Sequence, residues 1–383
     1  MDRQEFIKYG RFLTSLISAA VIGAAVPEVF EDLSWEKLFH LAKKHNVTTM
    51  IYPVVKNLPV PEEVFKLFKN EKNLMFARLT RQNIEAERIY KILSENGIKF
   101  IKLKGAHIKD MYPLDYMRTF GDFDLCLTHE DCAKARPIMA ELGYLIENIT
   151  GYHDEYIKDN FYIIELHSYA VNPVMRYAPI FSDPFEKAVS TDDNPYCYVL
   201  KNEYLYIHLL CHLHNHFIKS GCGIRLFADF LIFDSIIKDL DYDFIKAQLK
   251  KYDMLNFYYT VEKLKNYFFY GKDADEKLES VAGYILENQT TGNYTNITAN
   301  FGFWDKVKYF IKNWFPPAKD LSFRYPVLKK APVLLPICWL RRIFYSLFFN
   351  RKAFKTQAES IRNINNQKNK DIREIRKYAE NNN

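Results

Sequence analysis

Two hydrophobic periodicities divide the chain. Near its start, apolar side chains recur at helical spacing over residues 35–41, directly after Ser34, a residue type that suits a helix N-cap. The same period runs through residues 79–95 and ends at Asn96-Gly97, a typical C-terminal stop. The pattern therefore predicts a helical region over residues 1–95.

The period changes to that of β-strands after residue 97. Apolar runs predict strands over 98–105, 123–128, 144–149, 153–158 and 161–169, with helices over 106–114 and 130–144. The last three strands follow one another closely enough to be antiparallel neighbours. This order predicts an α+β fold around a small mixed sheet of about 75 residues, flanked by N- and C-terminal helical regions.

Helical periodicity returns near residue 202. It predicts helices over 203–218, 223–238 and 243–269, and the polar segment 287–304 is the best candidate for a mobile loop. We expect four parts: an N-terminal helical region (1–95), a central core (96–200), a C-terminal helical domain (201–350) and a basic polar tail (351–383).

Composition narrows the class of protein. Hydrophobic residues make up 48% of the 383, with only 13 Gly and 15 Pro, which is typical of a globular chain. The six cysteines show no CxxC spacing and the charged start of the chain is not a secretory signal, so we expect reduced thiols and a cytoplasmic protein. Of the net charge of +6, most lies in the tail, with nine basic and four acidic side chains. Such a tail is usually solvated, and contact with nucleic acid or an anionic membrane surface is the weaker alternative.

One long apolar run requires a membrane check. Residues 333–349 are largely apolar, but Arg341 and Arg342 lie within the run and Pro336 interrupts it. Because spanning a bilayer takes about 20 apolar residues, we expect no transmembrane segment. A packed C-terminal helix is the favoured interpretation, and an interfacial helix is the alternative.

The candidate chemistry begins with Asp122 and Asp124 in the run RTFGDFDLCL, residues 118–127. Side chains alternate across a strand, so both carboxylates project from one face while Phe123 and Leu125 are buried on the other. Two like charges this close repel each other unless a cation lies between them. In isolation, the pair would be an ordinary solvated strand edge.

Two further features favour a cation site. A predicted strand leads into Lys104-Gly105 and then directly into a helix, a junction where the backbone can approach a phosphate. Glu165 is a single carboxylate within an apolar strand that could lie beside the strand of Asp122 and Asp124. Three carboxylates at such a junction suit Mg²⁺, which prefers carboxylate and phosphate oxygens, and two-metal phosphoryl transfer.

The block from Lys104 to Leu127 closely resembles the Lys-Gly…Arg…Gly-Asp-x-Asp block of an uncharacterised nucleotidyltransferase family within the polymerase-beta-like superfamily. The segments IELHS (164–168), HLHNH with IRLFADF (212–216 and 224–230) and FPPAKDLSFRYP (315–326) are similar to other parts of that family. There is one departure: the superfamily's usual Gly-Ser is Gly105-Ala106 here, which lacks the phosphate-binding hydroxyl.

The resemblance implies a polymerase-beta-like catalytic core and a Mg²⁺- or Mn²⁺-dependent nucleotidyltransferase. Such an enzyme moves a nucleoside monophosphate from an NTP, for which ATP is our expectation, to an acceptor hydroxyl and releases pyrophosphate. Carried over residue by residue, it implies that Asp122, Asp124 and Glu165 are catalytic metal ligands, and that Glu165 or a metal helps to deprotonate the acceptor. By the same resemblance, the nucleotide-binding residues are Lys104, Gly105, Arg118 and Gly121. The acceptor stays open between a small molecule, a protein and an RNA.

Arg118 has two interpretations, as a phosphate ligand or as the partner in a salt bridge that orients the acidic pair. Arg225 and Asp229 are four residues apart on a predicted helix, and we expect them to pair with each other.

The histidines of the segment 203–218 also have two interpretations. His208, His212 and His216 share one helix face, so a zinc site is imaginable. The favoured interpretation places His212 and His216 beside an acceptor cleft, together with His167, which shares a strand face with Glu165.

Two alternatives to a nucleotidyl-transferring enzyme of this kind stay open. One is a nucleotidyltransferase-like toxin of an abortive-infection or toxin–antitoxin system that acts on RNA. The other is an inactive binding scaffold, in which the three carboxylates hold a structural cation or nothing.

Overall fold

The computed structural model describes residues 3–119, 121–149, 152–159, 162–219, 221–287, 315, 317–321, 325, 327–349 and 374–380. The expected mobile loop at 287–304 lies outside the described residues except for Glu287, and so does most of the tail.

Helices precede and follow the sheet, as the periodicity predicts. They are α1 (Arg3–Ile22), α2 (Trp35–Lys44), α3 (Thr48–Val55), α4 (Glu62–Glu95), α5 (Gly105–Ile108), α6 (His129–Glu141), α7 (Asn202–Lys219), α8 (Ile224–Ile236), α9 (Tyr242–Lys251), α10 (Leu255–Phe269), α11 (Glu276–Glu287), α12 (Ala318–Leu321), α13 (Val327–Lys330), α14 (Leu335–Phe349) and α15 (374–380). Short 3₁₀ turns cover Lys109–Met111, Ala178–Phe181 and Pro332–Leu334.

The sheet is mixed and has seven strands. They are β1 (Phe100–Lys102), β2 (Phe123–Cys126), β3 (Leu145–Ile149), β4 (His153–Lys158), β5 (Tyr162–His167), β6 (Ala188–Ser190) and β7 (Cys197–Leu200), in the spatial order β3-β4-β5-β2-β1-β7-β6. The pairs β2/β5 and β1/β7 are parallel, and the other neighbouring pairs are antiparallel. The α+β class with helical flanks is therefore confirmed.

Several local predictions are confirmed by hydrogen bonds and dihedral angles. The Ser34 hydroxyl accepts the N–H of Lys37 at 3.3 Å and begins α2. Helix α4 ends at Glu95, and Gly97 follows with a φ of +69° that an L side chain rarely adopts. The same helix begins at Glu62, well before the predicted residue 79, because its first half is solvated and carries a weaker apolar pattern.

Two predictions about the elements were wrong. The strands β6 and β7 were missed because three and four residues are too few to show a period, so the sheet extends beyond the predicted 75-residue unit. The single helical stretch predicted over 243–269 is two helices, separated by a turn in which Asp253 has a φ of +53°.

The C-terminal segments also differ from expectation. Helix α14 forms, but Ile337 and Leu340 on it are 62% and 68% exposed, and Cys338 joins only a small apolar cluster with Leu321 and Leu328. Over the described residues, no helix is both long enough and apolar enough to cross a membrane. In the tail, α15 is not merely solvated, because Ala379 is buried in the main core.

Apolar side chains pack on both faces of the sheet. On one face, Phe100, Phe123 and Leu125 pack with residues of α4 and α6. On the other, Ile101 and Cys126 join a larger core that contains residues of α1–α3 and of α7–α11. The acidic side chains of β2 project toward this second layer, since they alternate with Phe123 and Leu125. The division into four domains stays a prediction.

A buried ion pair joins the sheet to the helical layer. Arg118, which precedes β2, donates from Nε and Nη2 to the two carboxylate oxygens of Asp229 on α8, at 2.6 and 2.7 Å. The two side chains are only 4% and 3% exposed, and the Tyr112 hydroxyl donates to the same carboxylate at 2.9 Å. Removing one partner of such a pair leaves the other charge buried and unpaired.

We expect Arg118→Lys to destabilise the ligand-free protein by about 2 kcal/mol or more, because an ammonium cannot reproduce the two-pronged contact. Urea unfolding at pH 7.5 measures this. The matched control is Arg136→Lys: Arg136 also reaches both oxygens of one carboxylate, Asp154, but its side chain is 40% exposed. The control should cost less than Arg118→Lys, because the Asp154 carboxylate is buried but its partner is exposed, so solvent and the new ammonium can still compensate it. Equal effects of the two changes would contradict the assignment.

A buried histidine makes the stability depend on pH. His45 accepts the N–H of Ile224 at Nδ1 (3.3 Å) and donates from Nε2 to the carbonyl of Leu286 (3.1 Å), so the neutral ring satisfies both contacts. Burial lowers the pKa of His45 from 6.5 to about 4. Below pH 6.5, His45 is therefore protonated in the unfolded chain, whereas in the folded chain it stays neutral down to about pH 4.

Between pH 6.5 and pH 4, His45 should cost the wild-type protein up to roughly 3 kcal/mol of unfolding free energy. Urea unfolding at pH 7.5, 6.5, 5.5 and 4.5 should show this loss, and His45→Gln should be less stable at pH 7.5 but should lose less on acidification. Burial also lowers the pKa values of His107 and His208 to about 4, so His45→Gln should still lose some unfolding free energy on acidification. If the unfolding free energy of His45→Gln fell with pH as steeply as that of the wild type, this role for His45 would be excluded.

Candidate functional site

The strand register brings the three predicted carboxylates together. Asp124 on β2 lies directly beside Glu165 on β5 in the parallel pair, and Asp122 precedes Asp124 by two residues. All three line one cavity of about 570 Å³. Its other walls come from α4, α7, α8 and the segments around residues 104, 119, 152 and 171. The interpretation of Asp122 and Asp124 as an ordinary solvated edge does not fit, because Asp124 is only 4% exposed.

Two side chains, Lys104 and His167, contact the Asp124 carboxylate and lower its pKa. Its Oδ1 atom accepts Lys104 Nζ at 2.6 Å and lies 2.8 Å from His167 Nε2. Burial alone would raise the pKa of Asp124, but Lys104 and His167 hold it well below its usual value. The same His167 Nε2 lies 2.9 Å from Glu165 Oε2. Although burial opposes its charged form, these two carboxylates raise the pKa of His167.

Asp122 carries the negative charge that is least compensated. Burial and repulsion from Asp124 raise its pKa to about 6, and Glu165 adds to the effect, while Lys104 opposes it. A cation placed among these three carboxylates would relieve that repulsion.

Lys104 reaches the carboxylates from an unusual backbone conformation. Its φ is +44° and its ψ is −122°, a combination that non-glycine residues adopt only at a cost of order 1–3 kcal/mol. The strand β1 ends two residues earlier and the single turn α5 begins at Gly105, so this residue lies at the reversal of the chain. Burial opposes the charge of Lys104, but Asp124, Asp122 and Glu165 raise its pKa.

His153 is a candidate ligand that the sequence reasoning missed. It lies opposite His167 in the antiparallel pair of β4 and β5, with ring centroids 5.1 Å apart. One ligand atom each from His153, Glu165 and His167 lie within 4.8 Å of one another, so this group could hold a divalent cation. Counting the register back from His167 across the predicted hairpin could have found it.

The α7 histidines line the same cavity as the carboxylates. His212 and His216 contact each other through their Nε2 atoms at 2.9 Å, and His208 donates from Nε2 to the carbonyl of Ala170 at 2.9 Å. Burial lowers the pKa of His208 to about 4 and that of His212 well below its usual value, so both rings are neutral at pH 7. In the described part of the chain, these three do not form a group with converging metal-ligand atoms, which leaves the zinc interpretation without support.

The remaining predicted residues occupy different positions. Gly105, Gly121 and Arg118 line the cavity, although Arg118 is already held by Asp229. Ala106 does not line it: this side chain is 1% exposed and packs with Phe100 and the other residues of the α4/α6 layer.

The expected pair between Arg225 and Asp229 is wrong. Asp229 binds Arg118 and Tyr112 instead, while Arg225 Nη1 donates to the main-chain carbonyl of Thr119. A spacing of four residues allows contact along a helix but does not require it, and a buried carboxylate prefers the partner that reaches both oxygens.

Several cavity residues come from segments in which no sequence pattern pointed to them. Asn46, Arg78 and Asn215 line the cavity from the segment before α3, from α4 and from α7. Each is a single polar residue in or beside a helix, so only the tertiary arrangement identifies it.

Comparison with known proteins adds one match. No curated protein and no solved structure matches the chain, but a family model described as an uncharacterised nucleotidyltransferase matches residues 31–269, which is more than half of the sequence. The match contains the whole sheet, all three carboxylates and helices α2 to α10. The chain therefore belongs to this nucleotidyltransferase family.

Proposed function

We propose that the protein transfers a nucleoside monophosphate from an NTP, with ATP as the expected donor, to an acceptor hydroxyl, with release of pyrophosphate. Membership of a nucleotidyltransferase family supports the reaction class. The observation that carries the proposal is the placement of Asp122, Asp124 and Glu165 together in one cavity, where burial and the neighbouring carboxylates raise the pKa of Asp122.

The donor atoms fit Mg²⁺ or Mn²⁺ as the cofactor. Carboxylate oxygens are the ligands that these hard cations prefer. When bound, the cation would neutralise phosphate charge and hold the attacking and leaving oxygens. Asp122, Asp124 and Glu165 would hold it.

The chain's own cations have a second role in this proposal. Lys104 Nζ now contacts Asp124, and it lies beside Gly105 at the cavity wall, where it can donate to a phosphate oxygen once a metal shares the Asp124 charge. Glu165 is the carboxylate that can accept the proton of an acceptor hydroxyl, while His167 holds its orientation through the 2.9 Å contact.

The acceptor would enter on the side of the cavity formed by α7. His212, His216 and Asn215 line that wall, and imidazole and amide groups recognise hydroxyl groups by hydrogen bonds. This wall suits a polar, hydroxyl-bearing acceptor. We also propose that the protein works in the cytoplasm, a proposal supported by six buried cysteines that are all free thiols.

Asp122→Asn should abolish label transfer from α-labelled NTPs in the presence of Mg²⁺ and cell extract, with a loss of at least about 100-fold. The apo protein should melt at the same temperature or higher, because the change removes a repelled charge. The control is Asp243→Asn, which removes a fully solvated carboxylate on α9 and should leave transfer unchanged. Transfer that survives in both Asp122→Asn and Asp124→Ala would contradict the assignment.

Metal and nucleotide should stabilise the protein together. Mg²⁺ with a non-hydrolysable α,β-methylene NTP should raise the melting temperature of the wild type by several degrees, because ligands that bind only the folded state stabilise it. EDTA should reverse the shift, and Asp122→Asn should reduce it. An absence of any shift with all four nucleotide analogues would favour the inactive-scaffold alternative.

A further inference from the structure

Arg225 is a partly buried cation that forms no salt bridge with a carboxylate of the described residues. Its Nη1 donates to the carbonyl of Thr119, whereas its Nε is shielded from solvent and has no hydrogen-bond partner. No described carboxylate oxygen lies within 4.0 Å of its guanidinium. Burial lowers the pKa of Arg225 to about 10, and repulsion from Arg118 adds to this.

The surrounding charges compensate Arg225 only in part. Asp229 is already bound by Arg118 and Tyr112, so two guanidinium ions share one carboxylate. Asp122 is the other carboxylate that acts on Arg225, at longer range, and it belongs to the predicted metal ligands. A metal ion at Asp122 would leave Arg225 free to bind an anion.

The position of Arg225 within its helix increases the local positive potential. It is the second residue of α8, a 13-residue helix whose N-cap, Gly223, supplies no side-chain acceptor. The unsatisfied N–H groups at a helix N-terminus carry partial positive charge, so a cation there is unfavourable and an anion is favourable.

Arg225 lines the same cavity as Lys104, Gly105 and Asp122. Its Nη1 contacts the carbonyl of Thr119, three residues before Asp122, so the guanidinium lies close to the start of the acidic strand. The turn at Gly105 offers the cavity no side-chain hydroxyl, because the side chain of Ala106 lies in the apolar layer. A phosphate bound in this cavity would therefore depend on N–H donors such as a guanidinium.

We propose that Arg225 binds the triphosphate of the nucleotide through its guanidinium. The inference rests on the proposed function, since it assigns the residue to the nucleotide of that reaction. The sequence predicted that Arg225 would pair with Asp229 and left Arg118 as a candidate phosphate ligand. In the structure, Arg118 forms the ion pair with Asp229, so we assign the phosphate to Arg225. The competing explanation is that Arg225 only positions the Thr119 carbonyl.

The test uses the full chain and inorganic tripolyphosphate with Mg²⁺, because this probe carries the phosphates without any base. Calorimetry at 0.15 M salt should show that Arg225→Gln raises the Kd of tripolyphosphate about 10- to 100-fold, the range expected for losing charged hydrogen bonds. Arg225→Lys should give a smaller increase. The control Arg88→Gln removes a solvated positive charge from α4 and should change the Kd less than twofold.

The melting temperature of the ligand-free variants separates binding from positioning. If Arg225 is a triphosphate ligand, the melting temperature of Arg225→Gln should be unchanged or higher, because a partly buried charge without a carboxylate partner is removed. A lower melting temperature with an unchanged Kd would overturn the proposal in favour of positioning. An equal loss of affinity for inorganic monophosphate and tripolyphosphate would overturn the assignment to a triphosphate.

The same measurements distinguish this inference from the proposed function. If the wild type binds tripolyphosphate and α,β-methylene NTP, and Arg225→Gln binds them equally well, then only the role of Arg225 fails. If the wild type binds neither, then the proposed function fails as well.

Discussion

The carboxylate of Asp124 imposes the main constraint on this structure, because it is a buried, ionised group on a central strand of the sheet. Lys104 adopts a costly backbone conformation to reach it, and His167 approaches it from the neighbouring strand. The parallel pairing of β2 and β5 then brings Glu165 beside it. Lys104 and His167 therefore compensate the carboxylates in the ligand-free protein. Their contacts can change when a metal ion and a phosphate bind.

The helical regions turn this polar sheet face into a cavity. A sheet face with three carboxylates cannot pack against an apolar layer, so α7 and α8 present histidines, Asn215 and Arg225 toward it. The apolar cores lie around this polar interior, and the ion pair between Arg118 and Asp229 links the layers. The N- and C-terminal helices share one core, so the cleft depends on parts of the chain that are distant in sequence.

Much of the fold could be predicted from periodicity, since long segments repeat one spacing. The strands that hold Asp124 and Glu165 were identified from their apolar residues, and the sequence indicated only that they could lie side by side. The parallel register that places Asp124 beside Glu165 comes from the structure. The short strands β6 and β7 could not be identified, since three or four residues carry no period. Within the site, the carboxylates were found from their pattern, whereas the partners of Arg118 and Arg225 were not. Those partners depend on which guanidinium reaches both oxygens of Asp229, and only the packing of α8 against the loop before β2 decides that.

The main-chain carbonyl of Thr119 accepts hydrogen bonds from both Arg118 and Arg225. It lies three residues before Asp122, so a single oxygen atom connects helix α8 to the start of the acidic strand. Helix α8 contributes no carboxylate to the cavity, yet it contacts the residues directly before the acidic pair through both Arg225 and Asp229. One carbonyl oxygen thus serves two guanidinium groups, so the positions of Arg118 and Arg225 are not independent of each other.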